Sequence, residues 1–370
     1  MAGARGDAPG GLRFMTSRWP DSFTGYHQRH STPPTTTCHQ EPTSKCPSLS
    51  VPGTIAGAPQ DRLTILSFLG GMMIDSTLAK AERKLTSSSS SFFGFGGSST
   101  SKIEEARELY ISAANQFKVE KKWKDSGDAF CKAAECSLKL GEKDDAGNDF
   151  WSAAKSYNNS STPHLSLPTR SLAVGIACLR RTVEILIEKG RFRQAADRQK
   201  DIGRIFQQDA GDLQGALDAF LQAAEWYAQE DAHATANGCY KDAADLAAQL
   251  EQYPVAIENF EIVAQNSLSS PLTRYNVKEY FFKAGLCHLC TGDVVSTKRA
   301  IEKYAELDPS FVQQREYKFL LAIVDAYDAG NQEEFTNQVA EFDSMMKLDS
   351  WKTAILLNIK RGIQEEPGLL

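Results

Sequence analysis

Four stretches of this chain carry residue types that could do chemistry or seize a partner. Cys287-His288-Leu289-Cys290 has the Cys-x-x-Cys spacing that can hold zinc or form a reactive dithiol. A structural zinc needs four ligands, and no second Cys/His pair stands at a suitable spacing. The stretch therefore reads as buried helix packing, where a thiol behaves as a small hydrophobe. Gly94 to Lys102 has the glycines of a phosphate loop, but no Gly-Lys-Ser/Thr ending and no preceding strand. Phe92, Phe93 and Phe95 lie among serines and glycines. Such rings either insert into a partner or membrane surface or fold back on the first hairpin. Each ring contributes roughly 1.5–3 kcal/mol when buried, which makes a weak and reversible anchor. The last stretch, Glu365-Glu366-Pro367-Gly368-Leu369-Leu370, is acidic and ends in two leucines. It is either a frayed end or a docking peptide.

No catalytic grouping emerges. His164, His233 and His288, the histidines beyond residue 72, each stand alone. No His-Glu-x-x-His, Gly-x-Ser-x-Gly or dinucleotide fingerprint occurs. The expectation is a protein with no catalytic residue, no metal and no cofactor.

The elements that would position these stretches announce themselves through alanine. Ala-Ala pairs fall at Ala113–Ala114, Ala133–Ala134 and Ala153–Ala154, twenty residues apart, and return at Ala195–Ala196, Ala223–Ala224 and Ala243–Ala244. Each pair sits in a helical apolar stripe, such as Ile103, Ala106, Tyr110, Ala113, Ala114 and Phe117. One such helix cannot bury its stripe alone, but a row can. The spacing predicts an all-α stack of antiparallel helical hairpins, about 40 residues per repeat, which resembles a tetratricopeptide-like right-handed superhelix. Helices are expected near 75–85, from Ser101 through a capping box, over 172–189, and over 193–208, 213–229, 233–249, 254–266, 276–290, 294–306, 310–329, 331–345 and 349–363. Gly141, Gly190, Gly211 and Gly292 mark helix ends. The stretch from Ser160 to Pro168, with Pro163 and Pro168, breaks the beat as a loop.

Residues 1–72 are rich in Pro, Ser, Thr and Gly and show no sustained period. They are expected to be a disordered extension, with translation beginning at Met72 or Met73 as the favoured reading. An array over 73–310, with a Phe loop at 86–101, and a C-terminal bundle and tail over 311–370 complete the expected division. The net charge of −6 argues against a whole-chain nucleic-acid binder but not against a local basic face. No apolar run reaches the roughly 18 residues of a membrane span. The eight cysteines, mostly on predicted helix faces, suit a reducing compartment.

Several co-linear blocks are familiar. Ala81-Glu82-Arg83-Lys84, Ser91-Phe92-Phe93, Gly96-Gly97-Ser98, Ser101-Lys102-Ile103-Glu104-Glu105-Ala106, Gly190-Arg191-Phe192, Leu250-Glu251-Gln252-Tyr253, Glu279-Tyr280-Phe281-Phe282-Lys283-Ala284 and Leu348-Asp349-Ser350-Trp351 resemble the soluble NSF attachment protein family over about residues 73–370. The resemblance implies helical hairpins capped by a C-terminal helical bundle, and a cytosolic, membrane-peripheral adaptor with no catalytic site. Such adaptors wrap an assembled, syntaxin-type SNARE bundle in several copies and recruit the hexameric AAA ATPase NSF, which pulls the bundle apart after membrane fusion. It implies membrane contact by Phe92 and Phe93, with Phe95 beside them. It implies ATPase contact by Glu365, Glu366 and one of Leu369 and Leu370. It implies a basic face built from Lys121, Lys122, Arg191, Arg274 and Lys278. The chain departs from the family where basic residues are expected: Asp197 precedes Arg198, Gly238 precedes Lys241 by a turn, and Asn158–Asn159 replace a Lys-Lys pair. Arg198 and Lys241 are the expected substitutes. The connector at Ser160–Val174 is about ten residues longer than the family's. The rival reading is a generic helical scaffold that holds a peptide segment of a partner.

Overall fold

A computed structural model describes residues 60–89, 97–160 and 170–365, and among these no strand occurs. Six alanine pairs set the pattern. Every residue of the pairs at 113, 133, 153, 195, 223 and 243 is at most 3 % exposed. The helices that carry them are α2 (Gly97–Val119), α3 (Trp123–Leu140), α4 (Lys143–Ser160), α6 (Phe192–Ile205), α7 (Leu213–Gln229) and α8 (His233–Gln249). With α1 (Gln60–Ser89), α5 (Arg170–Glu188) and α9 (Tyr253–Leu268), they form a row in which each helix packs against the next. A methyl-sized side chain at the crossing lets two backbones approach, and aromatics near the helix ends fill the wider gaps: Tyr110, Tyr157, Phe220 and Tyr227 are all buried. The connections within 119–143 and from 188 to 253 are two or three residues long, which makes the joined helices antiparallel hairpins.

The turns repeat one motif. At Gly141, Gly190, Gly211, Gly292 and Gly330 the backbone is left-handed, which glycine adopts without penalty. The N–H after the left-handed residue reaches back five residues: Glu142 to Ser137 O at 2.9 Å, Arg191 to Leu186 O at 2.9 Å, Gln252 to Ala247 O at 2.8 Å. Lys121, Asp231 and Glu251 take the same conformation without being glycine, at a cost of about 1 kcal/mol each. These three helix ends carried no glycine signal in the sequence.

The chain stops behaving as a simple row after α9. α10 (Val277–Cys290), α11 (Val294–Leu307), α12 (Arg315–Asp328), α13 (Gln332–Met345) and α14 (Ser350–Glu365) form a bundle in which α10 also meets α12 and α14. α14 folds back as far as α8: Trp351 Nε1 donates to Asp245 O at 3.1 Å, and the Trp351 ring packs edge-on to Phe260. Phe281 stacks on Tyr304 and Phe319 on Phe342. One apolar cluster runs from Ala216 to Ile359, so the boundary expected at residue 310 does not coincide with a break in the core.

Other expectations need correction. α1 begins at Gln60, so helix crosses the expected boundary at 72, and it continues beyond 85 to Ser89. α2 begins at Gly97, four residues before the expected capping box. The helices thus take up both ends of the expected loop 86–101, because Ser and Thr are tolerated in helices whose Ala81, Ala106 and Tyr110 are buried together. Asn158, Asn159 and Ser160 form the last turn of α4. A π-helical turn, Phe206–Ala210, extends α6. Cys287 is buried in the core, and the Cys290 thiol donates to Ile355 O at 3.9 Å. Burial pushes Cys290 up to about 12, which disfavours the thiolate that reaction or metal binding needs.

Two outcomes follow from the packing. A Cβ added at Gly127 would stand 2.7 Å from the ring of buried Tyr157. Gly127→Ala should cost roughly 1–3 kcal/mol in urea unfolding, despite alanine's better helix propensity. Glu261 of α9 sits with His288 at 3.9 Å, the Lys303 ammonium at 2.7 Å and the Tyr304 hydroxyl at 2.7 Å. These hold its carboxyl down to about 2 from 4.5. A depressed folded-state pKa stabilises above the unfolded value and is lost on acidification. Glu261→Gln should therefore cost on the order of 2 kcal/mol at neutral pH. The gap to the unsubstituted protein should close between about pH 5 and pH 2 in unfolding experiments.

Candidate functional site

The feature that stands out is a row of cations supported by aromatic rings. On α4, Trp151 and Lys155 are one turn apart, and the Lys155 ammonium lies 3.3 Å from the centre of the Trp151 ring. Arg198 on α6 lies 4.0 Å from the centre of the same ring. Lys118 on α2 stands over Phe130 at 4.3 Å. Burial, and then the charge of Lys155, push the Lys118 ammonium below the usual lysine range. Three successive even-numbered helices therefore bring like charges near one another. Among the described residues neither Lys118 nor Lys155 makes an ion pair, whereas Arg198 pairs with Asp201 at 3.2 Å. Each ring face offers a cation about 0.5–2 kcal/mol, enough to hold it in place without neutralising it. Lys118 and Lys155 thus carry charge that no carboxylate among the described residues pairs, beside an Arg198 that Asp201 partly offsets.

The residues singled out from the sequence distribute unevenly around this row. Arg191, at the turn between α5 and α6, and Arg198 line one groove of ≈ 340 Å³ together with Trp151. Arg191 shares Asp144 with Lys189, so two cations meet one carboxylate and net positive charge remains. Lys121 and Lys122 are exposed at the turn between α2 and α3. Lys122 pairs with Glu120 at 2.8 Å and lines a different groove, whose rim holds Asp75, Asp125 and Asp128. Lys241 on α8 turns toward Asp242 at 3.4 Å and Asp245 at 4.0 Å. Burial works against its charge, but these carboxylates raise it above the usual lysine range. Arg274 and Lys278 reach buried carboxylates, Asp308 at 3.4 Å and Glu316 at 3.0 Å. Their charge is largely committed to neutralising those acids within the fold. Phe92, Phe93, Phe95, Glu366, Leu369 and Leu370 lie outside the described residues. Glu365 ends α14, but its side chain lies outside them as well.

Sequence reasoning missed Lys118, Lys155 and Trp151. A signal existed for Lys155: it lies three residues before Asn158, hence on the same helix face, and both line a second groove with Trp151 and Arg204. The cation expected at 158–159 is thus present one turn earlier. Leu272 and Tyr275 were missed too. They flank Arg274 in the connector before α10 and are 91 % and 78 % exposed. Large apolar side chains this accessible beside a guanidinium suit a protein contact.

Hairpins that pack in sequence, a folded-back end and a basic aromatic row define a helical-repeat scaffold built to hold another macromolecule. Among the described residues no cluster of His, Cys, Asp and Glu could hold a metal ion, and no helix is long and apolar enough to cross a membrane. The family model described as "Soluble NSF attachment protein, SNAP" matches residues 73–364, and the chain belongs to that family. It is 52 % identical over 290 residues to the vesicular-fusion protein SEC17 of Coprinopsis cinerea, covering 78 % of this chain and 96 % of the relative. It is 41 % identical over 288 residues to the human alpha-soluble NSF attachment protein, covering 78 % and 93 % respectively. The alpha-soluble NSF attachment protein of Saccharomyces cerevisiae is 34 % identical over 289 residues, covering 78 % and 96 %.

Proposed function

We propose that the protein is a non-enzymatic adaptor that grips assembled SNARE bundles and recruits and stimulates the NSF ATPase, which disassembles them in vesicle-mediated transport. Family membership supports the class of function. The observation that carries the grip is the row formed by Lys118, Lys155 and Arg198 on Trp151 and Phe130. The family resemblance implies that the outside of the assembled bundle is acidic. A fixed cationic row meets such a rod without reading its sequence, and the association weakens with salt. Arg191 extends the row through its groove, and Leu272 and Tyr275 add an apolar contact at the far end. Lys121 and Lys122 supply charge at the near end. Lys241, Arg274 and Lys278 are already paired and contribute less.

Two further contacts complete the reading. Phe92, Phe93 and Phe95 touch the membrane, which raises the effective concentration of the adaptor on membrane-embedded bundles and keeps it peripheral on the cytosolic face. Glu365 and Glu366 with Leu369 or Leu370 engage the ATPase, and several copies surround one bundle.

The deciding experiment is capture on an assembled SNARE bundle compared with its separate components. The protein should prefer the assembled bundle, and Lys155→Glu with Arg198→Glu should weaken capture at least about tenfold and flatten its salt dependence. Equal binding to the separate components points to a peptide-holding scaffold instead, and unchanged capture by the double variant removes the row from the site. Truncation of Leu369 and Leu370 should leave capture intact while lowering NSF-stimulated ATP hydrolysis. Full stimulation by the truncated protein would refute the role of the tail.

A further inference from the structure

Cys131 on α3 and Cys178 on α5 are separated by 47 residues of chain, yet their sulfurs stand 3.3 Å apart. Both are free thiols. The two helices are not consecutive: α4 lies between them in the chain and packs against both. Tyr157 of α4 stands at the pair, its hydroxyl 3.8 Å from Cys131 Sγ and 2.5 Å from Asp128 Oδ1. That hydroxyl has one proton, and the short contact gives it to Asp128. The hydroxyl oxygen can still accept from Cys131, and the two thiols stand within hydrogen-bond reach of each other. Either sulfur can donate to the other, and the contact pushes Cys131 below the usual thiol range and Cys178 above it. Cys131 is half-buried and Cys178 buried, so a small solute meets Cys131 first.

We propose that Cys131 and Cys178 form a peroxide-sensitive dithiol whose reversible disulfide ties α3 to α5 across α4. A disulfide is about 2.05 Å long, so closure asks for roughly 1 Å of approach between sulfurs already in contact. The Cys131 thiolate attacks one oxygen of hydrogen peroxide, the O–O bond breaks, and the departing hydroxide takes up the thiol proton as water. This leaves a sulfenic acid on Cys131. The Cys178 sulfur then attacks the sulfenic sulfur, the S–O bond breaks, and a second water leaves with the Cys178 proton. Two thiols and one peroxide give one disulfide and two waters. A small-molecule dithiol reverses the bond by exchange, becoming oxidised itself. Disulfides of this transient kind are the ones found in reducing compartments. The bond closes a loop containing α4, the helix that carries Trp151 and Lys155, and fixes the helices on either side of it.

The test uses the full chain. The protein is exposed to hydrogen peroxide, quenched with an alkylating reagent, digested without reductant and mapped by mass spectrometry. The expected result is a linked Cys131–Cys178 peptide that disappears on dithiothreitol treatment. The oxidised protein should melt several degrees higher than the reduced form. Cys131→Ser and Cys178→Ser should each abolish the linked peptide, while Cys136→Ser should leave it. Mapping of the unsubstituted protein decides the matter even if a serine variant folds poorly. Accumulation of sulfinic acid on Cys131 with no linked peptide, or alkylation of both thiols after peroxide, overturns the proposal. An unchanged melting temperature in a fully linked sample overturns the claim that the bond braces the array.

Discussion

Close approach of helices over methyl-sized side chains is the constraint on which this structure depends. Alanine gains little by burial on its own, so each pair stabilises the fold mainly by letting larger neighbours meet. Tyr110, Phe130, Tyr157, Phe220 and Tyr227 occupy the room the alanines define. Gly127 and Gly203 carry the logic furthest, since each lies directly under an aromatic ring of a neighbouring helix. The same spacing orders the outer surface. Helices packed at a regular interval present their exposed residues at a regular interval, and Lys118, Lys155 and Arg198 lie on α2, α4 and α6 as one consequence.

Charge is managed differently at the two ends of the chain. Toward the C-terminus cations are consumed internally: Lys283 meets Asp245 at 2.7 Å, Lys278 meets Glu316 at 3.0 Å and Lys352 meets Glu279 at 2.8 Å. Toward the N-terminus, aromatic rings rather than carboxylates support Lys118 and Lys155. A quadrupole attracts a cation without cancelling its field, so these charges stay available to a partner. This is how a chain of net charge −6 presents a basic surface at all.

The helices and their order were legible because the alanine pairs and apolar stripes report burial directly, and glycine marks the left-handed ends. Lys121, Asp231 and Glu251 hid three of those ends, because the backbone there adopts a conformation their side chains disfavour. The candidate site was only partly legible. A positive residue in a sequence does not disclose its partners: Arg274 and Lys278 looked as available as Lys155, yet they face buried acids that are 34 and 38 residues away in the chain. Nothing in the sequence marks Trp151 as the ring that carries Lys155 and Arg198. The Cys131–Cys178 contact was equally invisible, because nothing local links α3 to α5.

The return of α14 across the array has a mechanical meaning. Trp351, Lys352 and Asn358 fasten this helix to α8, α10 and α9, through Asp245, Glu279 and Tyr253. Tension applied at the last residues does not peel the final hairpin away one turn at a time. It enters along a helix clamped to the middle of the molecule and loads those contacts together, in shear. A load that reaches α14 is therefore shared by contacts on three helices.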